Sequence, residues 1–129
     1  MNDKSDILDP LFSDSGAFDE TEAVKALTPH LTIQRATNKI YLKDVKLSTT
    51  KKILAYALAK KLLKLRNLIE SDEITAQEFH EASGINKGTV DPSFKTLKDK
   101  SFLIGKLKYE LAVSKVPTII SLLNSKKEE

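Results

Sequence analysis

Cysteine is absent from all 129 residues, so neither a disulfide framework nor a thiolate metal site is available to this chain. Histidine is almost as scarce. His30 and His80 are the only two, and their separation matches no metal-ligand spacing. There is no glycine-rich phosphate loop and no zinc motif. No apolar run approaches the roughly 20 residues that a membrane-spanning helix needs. The opening residues are polar and acidic, unlike a signal peptide. These absences point to a soluble, cytoplasmic chain without metal or cofactor, and the length suits one domain with a modest core.

What is present is charge, unevenly placed. The formal net charge is +3. Residues 1–25 carry seven acids against two lysines, a balance of −5, and residues 26–129 carry 19 Lys/Arg against 11 Asp/Glu, a balance of +8. An acidic tail on a basic body is frequent among nucleic-acid binders, and frequent elsewhere too. Residues 1–22 are rich in Asp and Ser, with the apolar clusters "DILDPLF" and "GAF" but no sustained period. They read as a disordered acidic tail. It serves as a solubilising leader, binds a protein partner, or competes with DNA for the basic face.

Residues 23–48 form a second region. "TEAVKAL" gives two helical turns, with Thr21 as N-cap and Pro29 beyond the end. "LTIQRATNKIYLKDVKL" is rich in Thr, Ile, Val and Tyr and reads as two short strands about a turn, or as a linker packed on the core.

Residues 49–124 are the organised core, followed by a charged C-terminal tail at 125–129. "STTKKILAYALAKKLLKLRNLIE" reads as one long helix to Glu70, capped by Ser48, Thr49 or Thr50. Leu54, Leu58, Leu62, Leu65 and Ile69 recur at helical spacing and form the expected core stripe. Ile53, Tyr56 and Leu63 lie off that stripe. They are a second apolar patch, expected to bring two copies together as a homodimer, with cover by residues 23–48 of the same chain as the competing account. Lys60, Lys61, Lys64 and Arg66 also suit a membrane surface, but leucines spread around the helix suit burial better.

The stretch "EITAQEFHEASGINKGTVDPSFKTLKDKSFLIG" follows. Thr75 and Glu78 have capping-box spacing. Gly84 stands where a helix wants a left-handed residue, with Ile85 after it as a plug. Pro92 decides where the next helix starts. With Thr89 as N-cap, Pro92 is the third helical residue and loses no intrahelical donor bond. A start at Asn86 or Lys87 requires distortion near Pro92. Val90, Phe94 and Leu97 mark its buried face. Phe102–Ile104 and Leu107–Leu111 read as two strands joined by a two-residue Gly105–Lys106 turn. Ser114 then caps a last helix, with Pro117 in its first turn.

The order is long helix, helix, turn, helix, tight hairpin, helix, a mainly α chain with a small β-hairpin. Ile74, Phe79, Gly84, Ile85, Thr89, Val90, Phe94, Leu97, Leu103 and Ile104 carry a pattern that resembles the winged helix-turn-helix DNA-binding superfamily. That resemblance implies that the second helix of the pair enters the major groove and that the hairpin forms a wing. Lys87, Thr89, Ser93, Lys95 and Thr96 would then face DNA, and Lys106 and Lys108 would meet phosphate or the minor groove. Physically, lysines neutralise phosphates while short polar side chains near a helix start reach base edges.

The expected function is sequence-specific or structure-directed duplex DNA binding, by a small transcription regulator or a DNA-binding subunit. A nucleoid location would follow. Against it, no arginine lies on the second helix or wing to make the bidentate guanine contact, and Asp91 and Asp99 place negative charge there. The alternative is a winged-helix protein–protein interaction module in a larger complex. Catalysis is not expected. Only His80 with Glu78 and Glu81 hints at it, and helical geometry turns His80 away from the two acids.

Overall fold

The structure, a computed structural model, describes residues 19–43 and 46–124. Helix α1 spans Glu20–Leu27, and the Asp19 carboxylate accepts the Glu22 N–H at 3.1 Å. Asp19 rather than Thr21 is therefore the N-cap, which also places a negative charge at the positive end of the helix. Residues 19–22, assigned to the tail from sequence, belong to this element. Tail residues 1–18 and the C-terminal 125–129 lie outside the described residues.

Strands β1 (Leu31–Gln34) and β2 (Lys39–Leu42) pair antiparallel, with Leu31 opposite Leu42 and Gln34 opposite Lys39. Asn38 closes the turn at φ 58°, a left-handed conformation that asparagine tolerates. The two strands expected in this segment are present.

Helix α2 spans Thr49–Leu65 and begins at Ser48, whose hydroxyl accepts the Lys51 N–H at 3.3 Å. It ends five residues before the expected Glu70. Asn67 takes φ 60°, and the Asn67 and Leu68 N–H groups return to the Lys64 and Leu63 carbonyls, both at 2.9 Å. This is a Schellman stop with asparagine in the glycine position.

The single-stripe reading of α2 is corrected. Ile53, Leu54, Ala55, Tyr56, Ala57, Leu58, Ala59 and Leu63 are all buried, while Leu65 is half exposed. The helix is an axle packed against α1 and β2 and against the helices and hairpin that follow it. Its small alanines let those neighbours approach. Ile53, Tyr56 and Leu63 are thus covered by their own chain, and this patch no longer argues for a homodimer.

Helices α3 (Ala76–Ser83) and α4 (Lys87–Asp99) follow, then β3 (Leu103–Gly105) and β4 (Tyr109–Leu111). A single turn of 3-10 helix at Val113–Lys115 leads into α5 (Val116–Asn124), with Pro117 in the first turn. The expected Ser114 cap is not made, because Ser114 lies inside that 3-10 turn. Helix α5 packs on α1, and the His30 ring Nε2–H donates to the Leu123 carbonyl at 3.1 Å.

An aromatic series runs through the core. Tyr56 of α2 meets Phe79 of α3 at 5.6 Å, Phe79 meets Phe94 of α4 at 6.1 Å, and Phe94 meets Tyr109 of β4 at 5.2 Å. The first two contacts are edge-to-face, a geometry favoured by the ring quadrupoles. Among the described residues no helix is long and apolar enough to cross a membrane.

Candidate nucleic-acid interface

Helix α3 starts as its sequence suggests. The Thr75 hydroxyl accepts the Glu78 N–H at 3.0 Å. The Glu78 carboxylate turns to α2, accepting from the Tyr56 hydroxyl at 2.9 Å and from Lys60 Nζ at 2.8 Å. Burial, and then the Glu78 charge and hydrogen bond, push the Tyr56 hydroxyl well above its usual range. Lys60 also donates to the Glu73 carbonyl at 2.8 Å. These contacts lock α3 to the axle helix.

The turn after α3 is tied at every residue. Gly84 takes φ 74°, and its N–H donates to the His80 carbonyl at 2.9 Å. The His80 Nδ1–H donates to the Ile85 carbonyl at 2.6 Å, and the Ser83 hydroxyl accepts the Ile85 N–H at 3.1 Å. His80 is therefore a clamp on the turn. Glu81 accepts from Gln77 at 2.8 Å, so the acids flanking His80 have other partners. Among the described residues no group of three or more His, Asp and Glu could hold a metal ion.

The start of α4 differs from the expectation at Thr89. Asn86 is the N-cap: its side-chain oxygen accepts the Gly88 N–H at 2.7 Å. Its carbonyl accepts the Thr89 and Val90 N–H groups at 2.9 and 3.0 Å. Pro92 consequently lies inside the helix, where it cannot donate to the Gly88 carbonyl. The earlier start gains the Asn86 cap and two backbone bonds for one bond forfeited. Just after the proline, the Ser93 hydroxyl donates back to the Thr89 carbonyl at 2.8 Å, a bond that bends helices.

Val90, Phe94 and Leu97 are buried as expected. Lys87, Thr89, Lys95 and Thr96 are exposed on α4, but Ser93 is half buried and its hydroxyl proton is engaged. Asp91 and Asp99 share this exposed side.

Lys106 and Lys108 are exposed on the hairpin. The two-residue turn expected there is corrected to three residues, 106–108, because Gly105 pairs with Tyr109 as the last residue of β3. Gly105 has φ 128°, and a Cβ there would lie 2.0 Å from the Lys108 carbonyl oxygen, so the close approach demands glycine. Leu107, expected as the first residue of the second strand, stands instead at the loop tip, 85% exposed.

The hairpin is anchored more firmly than its length suggests. Tyr109 exchanges both backbone bonds with Ile74, each at 2.7 Å. This one-residue third strand, just before α3, was missed because a lone Ile has no alternation to read. Lys61 of α2, buried, sits 2.7 Å from buried Asp72 and 4.0 Å from Glu110 of β4. Burial alone would raise the Asp72 carboxyl. The Lys61 hydrogen bond and charge, aided by Lys64, more than offset it and hold the group below its usual range. Loop 66–75, α2 and β4 are joined at this one point.

The charges divide into two populations. Lys60, Lys61 and Lys64 of α2 all sit in ion pairs. Among the described residues, no ion pair involves Lys87, Lys95, Lys98, Lys100, Lys106 or Lys108. Phe94 against Tyr109 and the packing of α4 on β3 make α4 and the hairpin neighbours. Helix α4 and loop 106–108 thus present, from adjacent elements, cations without an ion-pair partner among the described residues. In comparison with known proteins, no family model, no curated protein and no solved structure matches this chain.

Proposed function

We propose that residues 49–124 act as a winged helix-turn-helix unit that binds duplex DNA, as a small regulator or as the DNA-binding subunit of a larger assembly. In this reading α4 enters the major groove and loop 106–108 meets the backbone beside it. The observation that carries the reading is the set of exposed lysines on α4 and the hairpin that have no ion-pair partner among the described residues. Phosphates would replace the counterions that such lysines otherwise hold. The positive end of α4, at Lys87 and Gly88, would favour a nearby phosphate through the helix dipole, with the Gly88 N–H itself already held by the Asn86 cap. Thr89 and Thr96 are the short polar side chains that would reach base edges. Without arginine on α4, lysine contacts would dominate and affinity would depend steeply on salt.

The test is selection from a random duplex pool by the full chain at two salt concentrations, with sequencing of the bound fraction. Each phosphate contact should contribute about −0.9 to the slope of log K against log salt. Lys87→Glu and Lys95→Glu should each weaken binding about tenfold or more and lower that slope by about 1 or more. Parent-like binding by both variants, with unchanged circular dichroism, would sink the groove assignment.

A second reading has its own observation. Leu107 is 85% and Ile104 56% exposed on the hairpin, an apolar tip better suited to a protein pocket than to phosphate. If Leu107→Ser leaves duplex binding intact but abolishes capture of a protein partner, the interaction-module reading gains and DNA becomes secondary.

A further inference from the structure

A groove lies away from α4 and the hairpin. It has a volume of about 400 Å³ between α1, β1 and the C-terminal end of α2, and Val24, Ile33, Leu62, Leu63 and Leu68 supply its apolar lining. Val24 and Leu68 are each more than half exposed, and Ile33 is 36% exposed. A smaller hollow of about 190 Å³ shares Val24, Ile33 and Leu62 and continues along α1 and β1. No residue of α3, α4, β3 or β4 lines either hollow. The groove is therefore independent of the proposed DNA face.

We infer that the groove is the seat of this chain's own N-terminal segment, residues 7–12, Ile-Leu-Asp-Pro-Leu-Phe. Three observations select that occupant. First, Glu20 and Thr21, the opening residues of α1, themselves line the groove. The segment therefore enters the body at the groove's edge. Second, reach is sufficient. Phe12 is seven residues from Asp19, and seven extended residues span at most about 25 Å. Third, the chemistry matches. Ile7, Leu8, Leu11 and Phe12 are the densest apolar cluster in the acidic first 25 residues, and the groove is lined mostly by apolar side chains. The flanking Asp6, Asp9 and Asp14 would meet Arg66 and Lys25. Among the described residues these cations hold exposed pairs, Arg66 with Glu20 at 3.0 Å and Lys25 with Glu22 at 3.6 Å. Such pairs exchange partners at little cost.

Tethering favours this occupant over any free one. A short linker holds the segment at an effective concentration in the millimolar range, so weak apolar contacts suffice to seat it. The tail's negative charge would then rest beside α1 and the end of α2, leaving the lysines of α4 open.

The absence of cysteine makes the test clean. Ser15→Cys in the full chain gives one site for a nitroxide label, and the methyl resonances of Val24, Ile33, Leu62 and Leu68 report on the groove. With the label attached, those methyls should lose most of their intensity while Ile104 and Leu107 on the hairpin keep theirs. Leu11→Asp/Phe12→Asp should restore the lost intensity. So should Val24→Asp/Ile33→Asp, read at the remaining Leu62 and Leu68 methyls, since it changes two side chains outside the buried core. A mixture of isotopically silent labelled chains with isotope-labelled unmodified chains should show no loss. Intensity lost in that mixture would make the occupant a second copy and overturn the inference. Loss centred on Ile104 and Leu107, or spread evenly over the surface, would overturn it as well, the first by placing the tail on the basic face.

Discussion

Asp72→Asn should destabilise this protein by about 3 kcal/mol, the lower end of the range for stripping one partner from a buried ion pair. Asp72 is 3% exposed and Lys61 8%, and Lys61 Nζ lies 2.7 Å from the Asp72 carboxylate. The substitution leaves a buried ammonium with only Glu110 at 4.0 Å to answer it. Glu110 is nearly half exposed, which places the cost near 3 rather than 5 kcal/mol. With a urea slope of about 1.5 kcal/mol/M, the unfolding midpoint should fall by about 2 M. The double variant Lys61→Met/Asp72→Leu removes both charges and should return to within about 1 kcal/mol of the parent, since apolar replacement of a buried pair is often neutral. The pH dependence gives an independent check. The folded carboxyl sits below its ordinary value of 3.8. The stability it supplies is therefore complete above the unfolded value and drains away as pH falls through the folded one. The gap between parent and Asp72→Asn should be constant from neutral pH down to about pH 5 and close below about pH 4. A midpoint shift under about 0.5 M, or a gap that ignores acid, would refute the argument that this pair joins α2, loop 66–75 and β4.

Gly105→Ala forces a Cβ against the Lys108 carbonyl at φ 128°. It should cost about 1–3 kcal/mol in thermal or urea unfolding, and an unchanged midpoint would mean that loop 106–108 reshapes freely. Tyr56→Phe removes a 2.9 Å bond to Glu78 while Lys60 stays at 2.8 Å, so a loss of about 1.5 kcal/mol is expected from equilibrium unfolding, with helix content unchanged.

How much was legible follows from where each signal resides. The caps at Ser48 and Thr75 and the glycine stop at Gly84 were readable because each is a local bond between residues close in sequence. The buried face Val90, Phe94, Leu97 was readable because helical spacing alone defines it. The Asn86 cap is less legible than these. The proline rule favours Thr89, and the Asn86 bonds, which together outweigh one lost donor, exist only in the folded turn. The stop at Asn67 was missed because asparagine marks a left-handed residue less plainly than glycine. On the candidate interface, the positions of Lys87, Lys95, Lys106 and Lys108 could be read, but their lack of ion-pair partners among the described residues could not. Partnering depends on what folds next to each ammonium.

By itself the sequence determined the mainly helical character of the chain, the placement of its helices and hairpins within a few residues, and the split between an acidic start and a basic body. Those properties depend on neighbours along the chain and on counts of residues. It took the tertiary structure to make α2 an axle buried on all sides over residues 53–59, with Ile53, Tyr56 and Leu63 interior. A helix's own periodicity reports how many apolar residues it carries, not how many elements will surround it. The same holds for Ile74 against Tyr109 and Lys61 against Asp72. Each pair joins residues 11 or more positions apart, and such contacts exist only once α2, the hairpin and loop 66–75 have been brought together by burial of the core.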